Sequence, residues 1–163
     1  MRTSLRLAAV GVALAAASFA TSASAAASAT ATATAEVLSS LTLTADSALD
    51  FGQIAPNTGG TVTVHADSTV AQTGGLVWTG TRAPAGFTVT GSNGATVVLT
   101  LPSAAVNLTR SGGSDTMTLS GFTASPTGAF QLGSTTGSAT FNVGGTLAVA
   151  ANQVAGLYSG TFN

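Results

Sequence analysis

The sequence predicts an all-β domain, an antiparallel β-sandwich of the immunoglobulin-like or pilin-like kind. Apolar and polar side chains alternate over short runs, and a period of two is typical of half-buried strands. Glycine-rich breaks separate these runs at intervals of roughly ten residues, which is the spacing of turns in sandwiches and barrels. Cysteine is absent, so packing and strand pairing must hold the domain together without disulfides.

Six short segments carry the alternation most clearly. They are residues 61–65, 87–90, 97–101, 117–119, 141–143 and 147–149. The breaks between strands are expected at residues 57–60, 74–75, 91–94, 111–114, 125–128 and 144–145. The last of these, within V-G-G-T at residues 143–146, predicts a two-residue hairpin, because Gly-Gly accepts the positive φ of the primed turns.

The predicted core takes the large apolar residues of the strands and of the segments next to them. It consists of Leu41, Leu43, Leu49, Phe51, Ile54, Val62, Val64, Trp78, Phe87, Val89, Val97, Leu99, Leu101, Phe122, Phe141, Val143, Leu147, Val149 and Tyr158.

Residues 1–25 predict a secretory signal peptide. Arg2 and Arg6 form a short positive region, residues 7–20 are apolar and uncharged, and small residues lead to Ala25. Cleavage is expected after Ala25, with Ala27 as the alternative. The apolar run is shorter than the ~20 residues that span a bilayer, so no transmembrane anchor is expected. Residues 26–163 would then form one exported domain, in the periplasm, at the cell surface or outside the cell.

The low number of charges excludes nucleic acid as a partner. The chain has four basic and five acidic residues and a formal net charge of −1. After the leader the basic residues are Arg82 and Arg110 alone, and nucleic-acid binding needs a basic stripe that neutralises phosphates. The surface is therefore expected to consist of Thr, Ser, Gly and Asn.

No group of residues in the sequence forms a recognisable catalytic, metal or cofactor site. His65 is the single histidine, and Asp67 can share its strand face, but a serine nucleophile in a G-x-S-x-G elbow is missing. One histidine without cysteine cannot make a zinc site. In the string Asp50-Phe51-Gly52, Phe51 is expected in the core and Gly52 at a turn. We therefore predict that the protein is not an enzyme.

Trp78 and Arg82, in the string W-T-G-T-R, are the candidate ligand contacts. An exposed tryptophan can stack on a sugar, and loops at the ends of sandwiches often carry binding sites. The alternative interpretation places Trp78 in the core, because large aromatic side chains are mostly buried.

A candidate strand-exchange arm covers residues 26–38. Alanine and threonine alternate there, so that one strand face would carry Ala29, Ala31, Ala33, Ala35 and Val37. Such an arm can add as a strand to the sheet of a neighbouring molecule. The alternative is that it forms the first strand of its own sandwich.

Several strings along the mature chain resemble the bacterial secreted family DUF4402, a domain of unknown function. The resemblance lies in residues 29–35, 49–56, 59–64, 87–91, 99–102, 143–147 and 156–162, which follow the family order. It implies a small exported β-sandwich similar to fimbrial and spore-coat-protein-U type subunits, with no enzyme activity. Family members usually continue the last strand beyond the equivalent of Asn163. The chain is thus expected to be either truncated or short in its last strand, which would leave an edge or groove open.

Together these observations predict a non-enzymatic, exported structural protein, such as a surface, fimbria-like or coat subunit. Its expected partners are copies of itself or related subunits, joined by β-strand addition, and a periplasmic chaperone. The alternative is a secreted adhesin or carbohydrate-binding module.

Overall fold

The structure is a computed structural model that describes residues 31–37 and 39–163. These residues form ten β-strands and no helix. The strands are β1 (Thr42–Ser47), β2 (Gln53–Val64), β3 (Val70–Thr79), β4 (Ala85–Thr90), β5 (Thr96–Val98), β6 (Val106–Arg110), β7 (Thr116–Ser125), β8 (Ala129–Gln131), β9 (Ser138–Val149) and β10 (Tyr158–Ser159). The predicted signal peptide, with Ala25 and Ala27, lies outside the described residues.

Eight strands form one curled antiparallel sheet around β9. The sheet runs in the order β1-β4-β9-β7-β6-β10, and β2 also pairs with β9 and carries β3 on its other side. One edge of β9 pairs first with β4 and then with β2, while its other edge pairs with β7. β5 and β8 form a second, two-stranded sheet. The predicted all-β, antiparallel sandwich class is confirmed.

The hairpin predicted at residues 143–146 is wrong, because this segment lies inside β9. Gly145 pairs with Val64 of β2, and Gly144 pairs with Thr123 of β7. A Cβ on Gly144 would lie 2.6 Å from the Ala66 backbone nitrogen and 2.7 Å from the His65 carbonyl carbon. The glycine therefore allows two backbones to approach closely and does not make a turn.

The breaks predicted at residues 57–60 and 74–75 also lie inside strands. They form an irregular stretch of the long β2–β3 ribbon, where the register shifts between Pro56 and Gly60 and Gly60 faces Gly74. The ribbon turns instead at residues 65–69, where the His65 amide donates to the Thr69 carbonyl oxygen at 2.8 Å.

Two clusters form the core, and three residues join them. The first cluster lies between β2, β3, β7 and the carboxyl half of β9, and the second between β4, the amino half of β9 and the segments around the small sheet. Leu49, Phe122 and Phe162 pack against both clusters.

Most predicted core residues are buried or half-buried, but three are exposed. Leu41 is 55%, Leu43 60% and Trp78 49% exposed. Leu43 lies on β1, an edge strand that the second sheet does not cover, and Trp78 lies at the end of the projecting β2–β3 ribbon. An alternating pattern predicts which residues share a face but not whether that face is covered.

The alternating arm is described from residue 31 onward, and Ala29 lies outside the described part. Ala31, Ala33, Ala35 and Val37 are exposed and belong to no strand, so the first strand described is β1, beginning at Thr42. The chain divides into two units, Met1–Ala35 and Glu36–Asn163, and all ten strands belong to the second.

Candidate functional site

An apolar groove opens beside β1, the first edge strand of the main sheet. β1 pairs with β4 alone, and all of its residues are exposed. The groove has a volume of about 390 Å³. Its lining is almost entirely apolar and consists of Leu43, Ala45, Phe87, Leu99, Thr100, Leu101, Pro102, Phe141, Val143, Phe162 and Asn163.

One wall of the groove is a β-strand, and the other is an irregular segment. One wall is β1, whose Leu43 and Ala45 pair with Val89 and Phe87 of β4. The opposite wall is the segment 99–102, which belongs to no strand. β1 thus lines the groove with two of its side chains, and its edge away from β4 is unpaired in the described part of the chain. An unpaired strand edge is a template for pairing with another chain.

Aromatic rings form the floor of the groove. Phe87 and Phe141 stack with ring centroids 5.1 Å apart. Phe162 meets Phe87 edge-on at 6.3 Å and Phe122 at 5.1 Å. Each such pair stabilises by about 0.5–1.5 kcal/mol beyond the burial of its area, so the floor is a firm surface.

The second candidate site is the pair Trp78 and Arg82, which the structure brings together. The guanidinium carbon of Arg82 lies 4.0 Å from the centroid of the Trp78 ring, a cation–π contact. About half of Trp78 remains exposed. The two predicted ligand contacts therefore lie side by side at the surface, whereas the alternative prediction of a buried Trp78 is wrong.

The segment 50–52 holds Arg82 in place. Asp50 and Ala83 exchange two backbone hydrogen bonds of 2.8 and 3.0 Å. Arg82 Nε donates to the Phe51 carbonyl oxygen at 3.2 Å. Gly52 has a φ of +70°, and a Cβ there would lie 2.9 Å from the Thr79 carbonyl oxygen. The expected place of Phe51 in the core is confirmed. Gly52 lies between the Asp50–Ala83 bridge and β2, outside any turn.

Arg82 carries a charge that no described carboxylate neutralises at close range. Its Nη2 is shielded from solvent and has no hydrogen-bond partner, and burial lowers the pKa of the guanidinium. Arg110 differs, because its Nε lies 2.8 Å from Asp115 Oδ2 in a salt bridge. Among the described residues, Arg82 is therefore the arginine without a salt bridge.

His65 and Asp67 belong to the turn between β2 and β3. Asp67 Oδ1 accepts hydrogen bonds from the Thr69 hydroxyl at 2.6 Å and the Thr69 amide at 3.0 Å. The Thr69 hydroxyl is the main reason that the pKa of Asp67 lies below its usual value, and nearby His65 lowers it slightly. This arrangement is an Asx turn that shapes the ribbon end.

A second cavity of about 520 Å³ lies at the far end of the sheet, near β10. The Tyr158 hydroxyl at its rim donates to the Val154 carbonyl oxygen at 2.6 Å and accepts from Gln153 Nε2 at 2.7 Å. These groups satisfy one another, and the remaining lining is largely apolar.

The part of the chain that the structure describes contains no group of three or more metal-ligating side chains. The same residues include no helix that is long and apolar enough to cross a membrane.

Sequence reasoning missed the groove, although it raised an open groove as one consequence of a short last strand. The lining comes from positions between Leu43 and Asn163 that are far apart along the chain. The one local signal lay in residues 42–47, T-L-T-A-D-S. Leu43 is the single large apolar residue among them, as is typical of an exposed edge strand. That signal is weak, because a buried strand shows the same alternation.

The fold and its surface define an all-β domain with an open sheet edge and a separate aromatic site. The sequence profile of the domain of unknown function DUF4402 matches residues 41–163, which is most of the chain. The chain belongs to this family, as its strand and turn strings indicated. No curated protein and no solved structure matches it. The likeness to fimbrial and spore-coat subunits stays a prediction.

Proposed function

We propose that the protein is a non-enzymatic, exported structural subunit that assembles by β-strand addition at the β1 groove. The observation that carries the proposal is the exposed edge of β1 beside the apolar groove. Leu43 and Ala45 face this groove, and Phe87 and Phe141 form its floor. Strand addition at such an edge gains backbone hydrogen bonds and buries apolar surface.

The proposed occupant is the arm of a second copy, residues 29–37. Its alanines share one strand face with Val37, and its threonines would face solvent. The phenylalanine and leucine side chains of the lining already fill much of the groove. The small alanine side chains of the arm would therefore let the incoming backbone approach the floor closely. From residue 31 to 37 the arm is exposed and belongs to no strand.

Export is part of the proposal, since an assembling subunit of this kind works outside the cytoplasm. Arg2, Arg6, the apolar residues 7–20 and the small residues ending at Ala25 support it. Mass spectrometry of protein from the periplasm and the medium is expected to find a mature product starting at Ala26. An intact chain starting at Met1 and found in the cytoplasmic fraction alone would contradict export.

Assembly is tested with a charge placed in the groove. Leu43→Lys puts an ammonium group in the apolar lining of the groove, where an incoming strand would have to desolvate it. The matched control is Thr44→Lys, because the same charge then lies on the same exposed strand but outside the groove lining. Both positions are exposed, so each change is expected to alter the unfolding free energy by about 0.5 kcal/mol or less.

Light scattering and electron microscopy of the mature protein at rising concentration give the readout. The wild type and Thr44→Lys are expected to form multimers, and Leu43→Lys and a variant without residues 26–35 to stay monomeric. A strictly monomeric wild type, or multimers that survive both changes, would refute the proposal. Capture of a periplasmic chaperone by the wild type, without self-assembly, would place the chaperone and not a second copy on this edge.

A carbohydrate-binding module is the second candidate function. The exposed Trp78 ring stacked on Arg82 is the observation that favours it.

A further inference from the structure

We propose that Trp78 and Arg82 form a binding site for an acidic saccharide, one that carries a uronate carboxylate. This inference rests on the carbohydrate-binding candidate and names its ligand class. The site shares no residue with the β1 groove, so ligand binding and assembly can occur on the same molecule.

The aromatic part of the site suits the apolar face of a sugar ring. The π face of tryptophan is electron-rich, and the C–H bonds of a pyranose face carry partial positive charge. Arg82 covers the Trp78 ring at 4.0 Å, and about half of the side chain stays exposed. The contact with Arg82 restricts the Trp78 side chain before a ligand arrives, which lowers the entropic cost of stacking a sugar on its exposed part.

The charge of Arg82 selects an acidic ligand. Its Nε is already used by the Phe51 carbonyl oxygen, whereas Nη2 has no partner. Because Nη2 is shielded from solvent, a ligand carboxylate is expected to accept from Nη1, which is not shielded and has no hydrogen-bond partner among the described residues. No carboxylate of the described residues forms a salt bridge with Arg82, so the ligand would not have to displace one.

Exposed polar groups surround the pair and suit the hydroxyls of a sugar. Thr79, the last residue of β3, and Thr81 flank Gly80, and Gln53 faces Thr79 across the ribbon. All three polar side chains are exposed. Aromatic stacking, a free cation and hydroxyl or amide groups thus lie on one small surface.

Fluorescence titration tests the inference directly, because Trp78 is the single tryptophan of the chain. The probes are a galacturonic acid trimer, the neutral galactose trimer and a triaspartate peptide. The acidic trimer is expected to change the emission of Trp78 and to bind about tenfold more tightly than the neutral trimer. Its affinity is expected to fall as salt rises from about 20 mM to about 1 M, because the salt screens the Arg82 charge.

Two arginine variants provide the matched comparison. Arg82→Gln is expected to weaken binding of the acidic trimer about tenfold and to abolish its preference over the neutral one. Arg110→Gln removes the same charge elsewhere, where Asp115 already pairs with it, and is expected to leave the affinity unchanged. The salt series on the wild type needs no variant, so the test holds even where Arg82→Gln perturbs the local fold.

The possible results distinguish the preference for an acidic saccharide from carbohydrate binding itself. Equal binding of both trimers, with no effect of salt, would overturn the acidic preference and keep a carbohydrate-binding module. Binding of triaspartate as tightly as the acidic trimer would overturn the saccharide assignment in favour of a plain carboxylate site. Binding of none of the probes would overturn both.

Discussion

Replacement of Gly144 by alanine tests the strand assignment that the sequence pattern had missed. Gly144 is buried in the middle of β9, and the added Cβ would meet the backbone at Val64, His65 and Ala66. All three neighbours are main-chain atoms, so no flexible side chain can move aside. Overpacking lowers the free energy of unfolding by about 1–3 kcal/mol where side chains can move aside. Because main-chain atoms cannot do so, we expect a loss of about 3 kcal/mol at this position.

The assay is urea unfolding followed by circular dichroism. With a slope of about 1–3 kcal/mol per molar urea, a loss of about 3 kcal/mol lowers the midpoint by roughly 1–3 M. This loss is large beside a total stability of about 5–15 kcal/mol.

A second substitution at the same position decides between a strand and a hairpin. In a primed two-residue turn Asn-Gly is favoured, so a hairpin would tolerate Gly144→Asn, whereas the close backbone contacts of β9 exclude it. Gly128→Asn is the control, because Gly128 has a φ of +71° with open space around it, and asparagine adopts that conformation readily. A Gly144→Asn protein as stable as the wild type would refute the close approach of β2 and β9.

Three further predictions concern charge, pH and the core. Iodide is expected to quench Trp78 more strongly than caesium, since Arg82 attracts anions, and equal quenching would contradict the 4.0 Å contact. The pKa of Asp67 is lowered on folding, so its stabilising effect exists above its unfolded value of about 3.8 and is lost as pH falls through the folded pKa. The gap in urea midpoint between the wild type and Asp67→Asn should therefore narrow between pH 6 and pH ~2, and a constant gap would exclude the linkage. Phe162→Ala removes a half-buried ring that packs against both clusters, and a thermal melt should show a loss of about 2–3 kcal/mol; a loss below about 0.5 kcal/mol would contradict that packing.

The strands could be predicted because alternation follows directly from the geometry of an extended chain. Val62, Val64, Phe141, Val143 and Leu147 all lie in the core where the pattern placed them. The period-two pattern reports the face of each residue, and in these strands that face is covered.

The glycine pairs could not be assigned from the sequence, because glycine serves two different purposes. Positive φ in a turn and close approach of two backbones both require the absence of Cβ. Gly144 serves the second purpose, and which of the two applies depends on β2, a strand some eighty residues earlier in the chain. The local string V-G-G-T is the same in both cases.

The two candidate sites differ in how far the sequence could predict them. Trp78 and Arg82 are close along the chain, and the turn between them bends the arginine back over the ring, so a local pattern sufficed to pair them. The groove depends on which strand lies at an edge, and that is a property of the whole sheet.

The position of β9 has a consequence for the order of events during folding. β2, β4 and β7 all pair with a strand that comes late in the chain, at Ser138–Val149. Until this strand has been synthesised, the three earlier strands lack their central partner, and the edge of each that faces β9 stays unpaired. Pairings of such long sequence separation close slowly, because loop-closure entropy is paid before the contacts form. The main sheet is thus expected to stay incomplete through most of the synthesis of the chain and to form late, as one cooperative unit.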